Sequence, residues 1–303
     1  MHDIIIIGAG PAGLSAAIYA ARKALKTLIL SQNIGGQGID ARFVENYLGF
    51  PGITGIELIE KFLGHAKSLG IEVKEGMLVE KINKKDGIFE VIASERKFEA
   101  KAVIVSTGKK YRELGIPGAR EFEGKGISYC ATCDAPLFKD KTVAVIGAGD
   151  AGLDAAWLLA SYASKIYIVN KYPELRGHNK DLEERIKEDK KIELFNNFLP
   201  GEIKGDKFAN KLVIQEVDSG EKKELEVQGI FVEIGSIPAS EILKEFAQIN
   251  QKGEIIVDHE TNMTSTPGIF AAGDVSDVKY KQMIIAAAEG AKAALAAYDY
   301  LRK

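Results

Sequence analysis

Residues 3–32 read DIIIIGAGPAGLSAAIYAARKALKTLILSQ, and they align without a gap to residues 142–171, TVAVIGAGDAGLDAAWLLASYASKIYIVNK. Each stretch contains an apolar strand, the pattern G-x-G-x-x-G, an alanine-rich helix and a second apolar strand. In this pattern the first glycine permits a tight turn, the second lets backbone approach a diphosphate, and the third lets helix and strand pack closely. The diphosphate of a dinucleotide lies on the N-terminus of the helix that follows the glycines. The two copies therefore predict two dinucleotide sites.

The rest of the chain continues the alternation of strands and helices, which indicates the α/β class with doubly wound parallel sheets. Helices are predicted at 55–68, 182–189 and 282–301. Strands are predicted at 71–74, 78–83, 88–93, 102–106, 192–195, 211–217, 223–227, 230–234 and 268–272. The expected architecture has two Rossmann-like dinucleotide-binding domains. The second, 112–238, is inserted into the first, 1–111 and 239–303, with crossings near 109–112 and 237–240.

The composition excludes several classes of protein. A chain of 303 residues with 46% hydrophobic and 27% charged residues has ample material for two ordinary cores. A net charge of −3 gives no electrostatic footprint for nucleic acid or an anionic membrane. No apolar run approaches the roughly 20 residues that span a bilayer. The N-terminus carries Asp3 and lacks the basic start of an export signal, so we expect a cytosolic protein.

The only cysteines, Cys130 and Cys133, form one C-x-x-C. In the reducing cytosol such a pair is more often metal-binding or catalytic than structural. Structural zinc usually takes four Cys or His ligands, but no second C-x-x-C exists and the four histidines are scattered. We therefore predict no metal and favour a redox pair, because a flavin held by one of the dinucleotide sites can pass two electrons to a disulfide.

Asp134 directly follows the second cysteine. Thiol–disulfide exchange needs an attacking thiolate and a proton for the departing sulfur, and no histidine neighbours the pair. Asp134 is therefore the predicted acid/base. The alternative is a helix cap before Pro136, and the two roles are compatible.

Further motifs occur in an order and at spacings typical of one family. They are GGQ at 35–37, ENY at 45–47, STG at 106–108, YCATCD at 129–134, AAGDV at 271–275 and YKQ at 280–282. On these motifs the chain resembles the low-molecular-weight thioredoxin reductases over essentially its whole length. It is also similar to the C-terminal flavoprotein portion of the alkyl hydroperoxide reductase flavoprotein. The larger glutathione-reductase-like class resembles it less, because its redox cysteines lie near the N-terminus.

The resemblance implies FAD in the first domain. The first glycine pattern would hold the diphosphate, Asn46 would lie close to the flavin, and Asp274 would hydrogen-bond the ribityl chain. Gln282 and Met283 would meet the pyrimidine edge. The remaining implied FAD positions are Gly8, Gly10, Pro11, Ala12, Gly13, Ser31, Gly35, Gly36, Gln37, Val79, Thr107, Gly108 and Gly273.

A nicotinamide nucleotide is implied in the second domain, at Gly147, Gly149, Asp150, Ala151, Asn170, Lys171, Arg176 and Gly235. Here the chain departs from the family, whose NADPH-using members carry H-R-R-x-x-x-R after the second strand. At the matching positions the chain reads NKYPELR, from Asn170 to Arg176, so only the last arginine survives. The acidic residue that favours NADH in other proteins is also absent at Asn170. Such a carboxylate would repel the 2′-phosphate of NADPH by about 1–4 kcal/mol per charge pair.

We expect NADH to be favoured, because residues 280–301 look closest to the peroxide-reductase flavoproteins, which prefer NADH. Some relatives with altered nucleotide sites use a deazaflavin or ferredoxin as the donor, but the intact GAGDAG at 147–152 argues against that here. We expect the protein to lack the thioredoxin-like N-terminal domain of the peroxide-reductase flavoprotein. The expected partner is therefore a separate thioredoxin- or glutaredoxin-like protein, reduced by Cys130 while Cys133 faces the flavin.

Two other functions compete with this disulfide reductase. A ferredoxin–NAD(P) reductase would share the fold, although such relatives lack the C-x-x-C. A non-enzymatic nucleotide-binding redox sensor belongs to a different class of protein and would not turn over. The resemblance also implies a homodimer formed through the FAD domain.

Overall fold

The computed structural model describes residues 1–41 and 43–303. The chain divides into two compact units, one that combines Met1–Lys110 with Ile237–Lys303 and one that is Tyr111–Ser236. The limits of the second unit differ by one residue from 112 and by two residues from 238. The nucleotide that each unit binds stays a prediction.

Both units are built of strands and helices in alternation. The α-helices are α1 (Pro11–Arg22), α2 (Gly55–Ser68), α3 (Ala131–Asp134), α4 (Asp150–Ala160), α5 (Lys180–Glu188) and α6 (Met283–Leu301). The first nine strands are β1 (His2–Ala9), β2 (Thr27–Ile34), β3 (Glu72–Lys74), β4 (Val79–Lys85), β5 (Ile88–Ala93), β6 (Arg96–Val105), β7 (Lys109–Tyr111), β8 (Ile127–Ser128) and β9 (Thr142–Ile146). The others are β10 (Lys165–Asn170), β11 (Ile192–Asn196), β12 (Phe198–Gly205), β13 (Ala209–Glu216), β14 (Lys222–Glu226), β15 (Gly229–Val232), β16 (Ser236–Pro238) and β17 (Ile269–Ala271).

The sheet of the first unit has the order β3-β2-β1-β6-β5-β4, with β17 also on β6. One edge of β6 is divided, because its first half pairs antiparallel with β5 and its second half pairs parallel with β17. The chain thus returns to this sheet after the inserted unit. Ile4–Ile7 of β1 are all buried, as expected of a continuous apolar strand covered on both faces.

Helices α1 and α6 pack closely together beside this sheet. A side chain at Gly290 of α6 would lie 1.9 Å from the carbonyl oxygen of Ala12 in α1. The buried alanines of both helices belong to the same hydrophobic cluster as Ile4 and Ile6. Small residues therefore set the distance between the first glycine-rich loop and the final helix.

The second unit repeats the parallel arrangement on a smaller scale. Its main sheet has the order β11-β10-β9-β15-β8, with every neighbouring pair parallel. Strands β12, β13 and β14 form a separate antiparallel sheet. The two crossing segments, β7 and β16, pair with each other.

Most predicted elements are confirmed, and the α/β fold class is confirmed with them. Helix α2 has the predicted bounds because Thr54 and Glu57 form a capping box, in which each side chain accepts the other's backbone N–H. Strand β12, the short strand β8 and the β7–β16 pair were not predicted. Within the described ranges, no helix combines the length and apolar character needed to cross a bilayer.

Candidate redox centre and nucleotide loops

The two cysteines lie where strand β8 passes into the short helix α3. Cys130 is extended and precedes α3, and its carbonyl oxygen accepts the N–H groups of Cys133 at 3.2 Å and Asp134 at 3.1 Å. The sulfurs are joined as a disulfide with the Cα atoms 5.3 Å apart. Both residues are partly exposed. Within residues 1–41 and 43–303, no three His, Cys, Asp or Glu side chains group as metal ligands.

The carboxylate of Asp134 is held by a buried hydroxyl. Ser128 Oγ donates to Asp134 Oδ2 at 2.7 Å, which is the length of a charge-assisted O–H···O bond. Asp134 makes no side-chain cap to the 3-10 helix Ala135–Phe138. The cap alternative is therefore wrong, and the acid/base role stays a prediction. Ser128 was not among the predicted site residues, although it stands two positions before Cys130.

Tyr129 precedes the disulfide, and burial and two acidic neighbours shift its pKa. The ring of Tyr129 stacks on Tyr111 with centroids 5.1 Å apart. Burial, and then the charges of Glu123 and Glu113, raise the pKa of the Tyr129 hydroxyl above its usual value. Tyr129 therefore stays protonated at neutral pH and is a poor proton acceptor beside the thiols.

The first glycine-rich loop is tight at two glycines and open at two others. A side chain at Gly8, where φ is +106°, would meet Ser106 O at 2.4 Å, and one at Gly13 would meet Gly8 O at 1.9 Å. By contrast, a side chain at Gly10 or Gly36 would find its nearest atom at 3.8 or 3.9 Å. Gly8 and Gly13 thus close the strand onto the helix, while Gly10 and Gly36 leave a cradle of backbone.

The N-terminus of α1 points to an anion in this cradle. Pro11 opens the helix, Gly10 provides no side-chain cap, and the first turn contains no acidic residue. The free N–H groups and the helix dipole therefore face the open glycines without a competing carboxylate. This donor set fits the FAD diphosphate that the sequence implies, with Ala12 in the same turn.

Two predicted flavin neighbours that are far apart in sequence meet in the structure. Asn46 Nδ2 donates to Gln282 Oε1 at 3.1 Å. Met283, the first residue of α6, lies close to Gly38, since a side chain there would be 3.3 Å from the methionine sulfur. The 3-10 helix that contains Gly38 also contains Gln37. The loop after β2 and the start of α6 therefore form one site.

Asp274 lies beside a cation that was not predicted from the sequence. Lys109 Nζ is 3.5 Å from Asp274 Oδ2, and both side chains are largely buried. The turn itself is fixed by Glu289, a buried carboxylate of α6 that accepts the N–H of Gly273 at 3.0 Å and the Ser276 hydroxyl at 3.1 Å. Of the two acids in α6, Asp299 is exposed and Glu289 is buried, and a buried carboxylate among alanines is the signal that marks it.

Other predicted FAD positions lie in the same unit. Thr107 donates its hydroxyl to Ala239 O at 2.7 Å, so it joins the two chain segments of the first unit. Val79 is the first residue of β4. The segment before it is joined to β2 by the hydrogen bond from Met77 N to Ser31 O at 2.9 Å. Positive φ angles occur at Gly35, Gly108 and Gly273.

The side chain of Ser31 makes hydrogen bonds within the first unit, and its place along FAD stays a prediction. Its hydroxyl accepts the N–H of Ala9 at 3.0 Å and donates to Asn33 O, and the residue is buried. The one proton of the hydroxyl and one of its two acceptor lone pairs are thus used by these bonds. Ser31 therefore ties β2 to β1.

The second glycine-rich loop repeats the geometry of the first. A side chain at Gly147 would meet Glu233 O at 2.3 Å, one at Gly152 would meet Gly147 O at 2.0 Å, and Gly149 is open. Asp150 and Ala151 begin α4. Gly235, with φ at +93°, has its carbonyl bonded to Arg112 N at 3.1 Å. The repeat found in the sequence is therefore a repeat in the structure.

Asn170, an implied nucleotide position, is bonded to its neighbours in the fold. Its side-chain nitrogen donates to Glu174 O and Asn196 Oδ1, both at 2.9 Å, and its side-chain oxygen accepts Tyr172 N at 3.2 Å. The residue is 3% exposed. The buried amide of Asn170 therefore shapes the loop that follows β10, and its contact with a nucleotide stays a prediction.

The loop after β10 brings its two predicted cations to one aromatic ring. Lys171 Nζ lies 4.9 Å and the Arg176 guanidinium carbon 3.2 Å from the centroid of Tyr172. The far end of the loop is tied to α4, because Asp150 accepts His178 N and contacts the imidazole Nδ1, both at 2.7 Å. Both cations are exposed and hence accessible to a phosphate.

Three comparisons with known proteins agree with this arrangement. The chain is 39% identical over 300 residues to an NADH dehydrogenase of Bacillus subtilis (strain 168). It is 38% identical over 301 residues to one of the subunits of an alkyl hydroperoxide reductase of Staphylococcus aureus (strain MRSA252). Both alignments cover 99% of this chain, which spans 58% and 59% of the lengths of these relatives.

A solved structure matches over nearly the whole chain. The thioredoxin reductase of Streptococcus pyogenes MGAS5005 is 35% identical and superposes with a TM-score of 0.92, covering 100% of this chain and 98% of that one. Residues 2–290 match the family described as pyridine nucleotide-disulphide oxidoreductase. With both glycine-rich loops and the disulfide in place, the chain belongs to this family of oxidoreductases.

Proposed function

We propose that the protein is an FAD-dependent disulfide reductase that uses a reduced nicotinamide nucleotide, with NADH favoured. Electrons pass through FAD and Cys130–Cys133 to the disulfide of a separate thioredoxin- or glutaredoxin-like protein. The observation that carries this proposal is the disulfide of the only two cysteines, adjoining a carboxylate that a buried serine holds. The similarity to a thioredoxin reductase supports the choice of partner.

The first unit is proposed to hold FAD through the open glycines and the N-terminus of α1, with Asn46, Asp274 and Gln282 along the rest of the cofactor. When bound, FAD supplies hydride acceptance from the nucleotide and two-electron transfer to a disulfide. The protein's part is to orient the cofactor by backbone donors and to hold the charged groups near it. Lys109 partly neutralises Asp274 in this role.

The reduced cysteines would act on the partner by thiol–disulfide exchange. The Cys130 thiolate attacks one partner sulfur, forming a mixed disulfide, while the other partner sulfur leaves with the bonding electron pair. That sulfur takes a proton, which Asp134 can give. Cys133 then attacks Cys130, re-forms the Cys130–Cys133 disulfide and releases the partner as a dithiol.

Access to the disulfide supports a protein substrate. Thr132, Pro136 and Leu137 are exposed directly around the two partly exposed cysteines. An apolar, accessible rim next to a disulfide suits a second protein surface better than a small polar thiol.

The open glycine of the first loop gives a direct test of FAD binding. We expect Gly10→Val to fold but to lose FAD, because its methyl groups would fill the space needed by the diphosphate. The equivalent Gly149→Val should keep FAD and lose nucleotide affinity. Flavin absorbance after gel filtration, with circular dichroism for folding, checks both. A folded Gly10→Val protein that stays fully yellow would contradict the proposed site.

The loop after β10 is expected to favour NADH over NADPH. NADH should exceed NADPH in kcat/KM by about tenfold or more, or ~1.4 kcal/mol, because no arginine pair receives the 2′-phosphate. The name of the Bacillus subtilis relative supports NADH. Stopped-flow flavin reduction measures both.

Two variants show whether Lys171 and Arg176 rebuild a phosphate site. If they do, Lys171→Gln and Arg176→Gln will lower kcat/KM for NADPH and spare NADH, and the wild type will prefer NADPH, contrary to our expectation. Equally slow flavin reduction by NADH and NADPH would indicate a deazaflavin or ferredoxin donor.

We also propose that the protein is a cytoplasmic homodimer formed through the first unit. The observation in its favour is a set of apolar side chains left exposed on that unit, namely Ile39, Leu48, Ile56 and Ile284. Light scattering at micromolar concentration should give twice the mass of one chain, and a monomer would contradict the proposal.

A further inference from the structure

Ser128 is bonded to both Asp134 and Cys130 in the turn that contains the disulfide. It is the last residue of β8 and is 5% exposed. Its hydroxyl donates to Asp134 Oδ2 at 2.7 Å and accepts the backbone N–H of Cys130 at 3.1 Å. One side chain thus holds both the carboxylate and the backbone of the first cysteine.

A serine hydroxyl has a single proton to donate. A second acceptor, the carbonyl oxygen of Cys130, lies at 3.4 Å, so the shorter contact to Asp134 is favoured while that carboxylate is ionised. When the carboxyl takes up a proton on Oδ2, the Ser128 hydroxyl can turn to the carbonyl and accept from the acid. Both protonation states of Asp134 therefore have a hydrogen-bonded arrangement around the same serine.

We propose that Ser128 is a positioning residue for proton transfer by Asp134, an inference that rests on the proposed disulfide-reductase function. It keeps the carboxylate oriented toward the turn while Asp134 alternates between proton donor and acceptor. Its bond to Cys130 N keeps the attacking cysteine in register with that acid. Ser128 touches neither substrate nor cofactor in this role.

The test uses protein whose disulfide has been reduced by dithiothreitol, which is then removed. Two small disulfides are compared as probes in single-turnover reactions. With 5,5′-dithiobis(2-nitrobenzoate), the departing aromatic thiolate leaves without a proton. With bis(2-hydroxyethyl) disulfide, the departing alkyl thiolate needs one. The ratio of the two rates therefore measures the contribution of the acid.

Ser128→Ala should lower the alkyl-to-aromatic rate ratio about tenfold, since it removes a hydrogen bond to a charged group. Ser128→Thr should restore the ratio, because it keeps the hydroxyl on a strand that tolerates β-branched residues. Ser164→Ala, which removes an exposed serine bond in the same unit, is the matched control and should leave it unchanged.

A double-mutant cycle decides whether Ser128 acts through Asp134. Asp134→Asn and the double variant with Ser128→Ala should give the same ratio. Equal slowing of both probes in Ser128→Ala, or fully additive effects in the double variant, would overturn the proposal. Nucleotide and flavin reduction do not enter this measurement. A failure of the proposed electron path, seen as no reduction of the disulfide by NADH or NADPH, therefore remains distinguishable.

Discussion

Replacing either cysteine with serine is expected to abolish reduction of a protein disulfide while leaving flavin reduction by nucleotide intact. A single thiol can form a mixed disulfide but cannot resolve it, so no electron pair is delivered in turnover. Serine keeps the shape of the side chain, and the bonds from Cys133 N and Asp134 N to Cys130 O involve only backbone. Steady-state assays with a thioredoxin as the probe and stopped-flow flavin reduction separate the two half-reactions.

The two serine variants should differ in their visible spectra. If Cys133 faces the flavin, Cys130→Ser leaves a thiolate there, and a long-wavelength charge-transfer band should appear. Cys133→Ser should show none. The reverse pattern would exchange the roles of the two cysteines, and equal turnover in a serine variant and the wild type would remove the disulfide from the electron path.

Asp134→Asn is expected to lower turnover with a protein disulfide by about 10²–10⁴-fold, the usual contribution of a positioned acid/base. The amide keeps the shape of the carboxyl group and can still accept from Ser128, but it has no acidic proton to give to the departing sulfur. Flavin reduction by nucleotide should be unchanged. Asp140→Asn is a matched control, because Asp140 is an exposed acid six positions further along.

Unchanged turnover in Asp134→Asn would mean that the departing sulfur takes its proton from water. Equal losses in Asp134→Asn and Asp140→Asn would indicate a general loss of charge on this surface. Either result would remove Asp134 from the proposed chemistry while leaving the disulfide in place.

Most of the fold could be predicted from the sequence repeat. The spacing in G-x-G-x-x-G reflects local sterics, and the tight contacts of Gly8, Gly13, Gly147 and Gly152 bear this out. Helix α2 could be bounded because its capping box lies within four consecutive residues. Such features depend on neighbours in the chain and are therefore readable from it.

Strand β12 was missed because its sequence contains Pro200, Gly201 and Gly205, which argue against a regular strand. The structure accommodates them with shifts of register against β13. Local propensity was overridden by the tertiary pairing of this antiparallel sheet.

Two polar side chains at predicted site positions already have partners within the fold. Asn170 ends β10 and Ser31 lies within β2, and at both positions a ligand contact and a structural bond are equally plausible from sequence. Their partners, Asn196 and Ala9, lie 26 and 22 residues away, so only the folded chain shows that the side chains are already engaged. Ser128 was not predicted because its role depends on the conformation of the turn, which brings the Asp134 carboxylate to its hydroxyl.

Electrons from a nicotinamide nucleotide are proposed to reach Cys130–Cys133 through FAD, and turnover with a partner disulfide depends on this path. An anaerobic titration of the FAD-loaded protein with NADH, followed by thiol alkylation and mass spectrometry, tests the path in one experiment. Each chain should take up two electron pairs, one for the flavin and one for the disulfide, and both cysteines should become alkylated. Full bleaching of the flavin after a single pair, with neither sulfur alkylated, would contradict the proposed path.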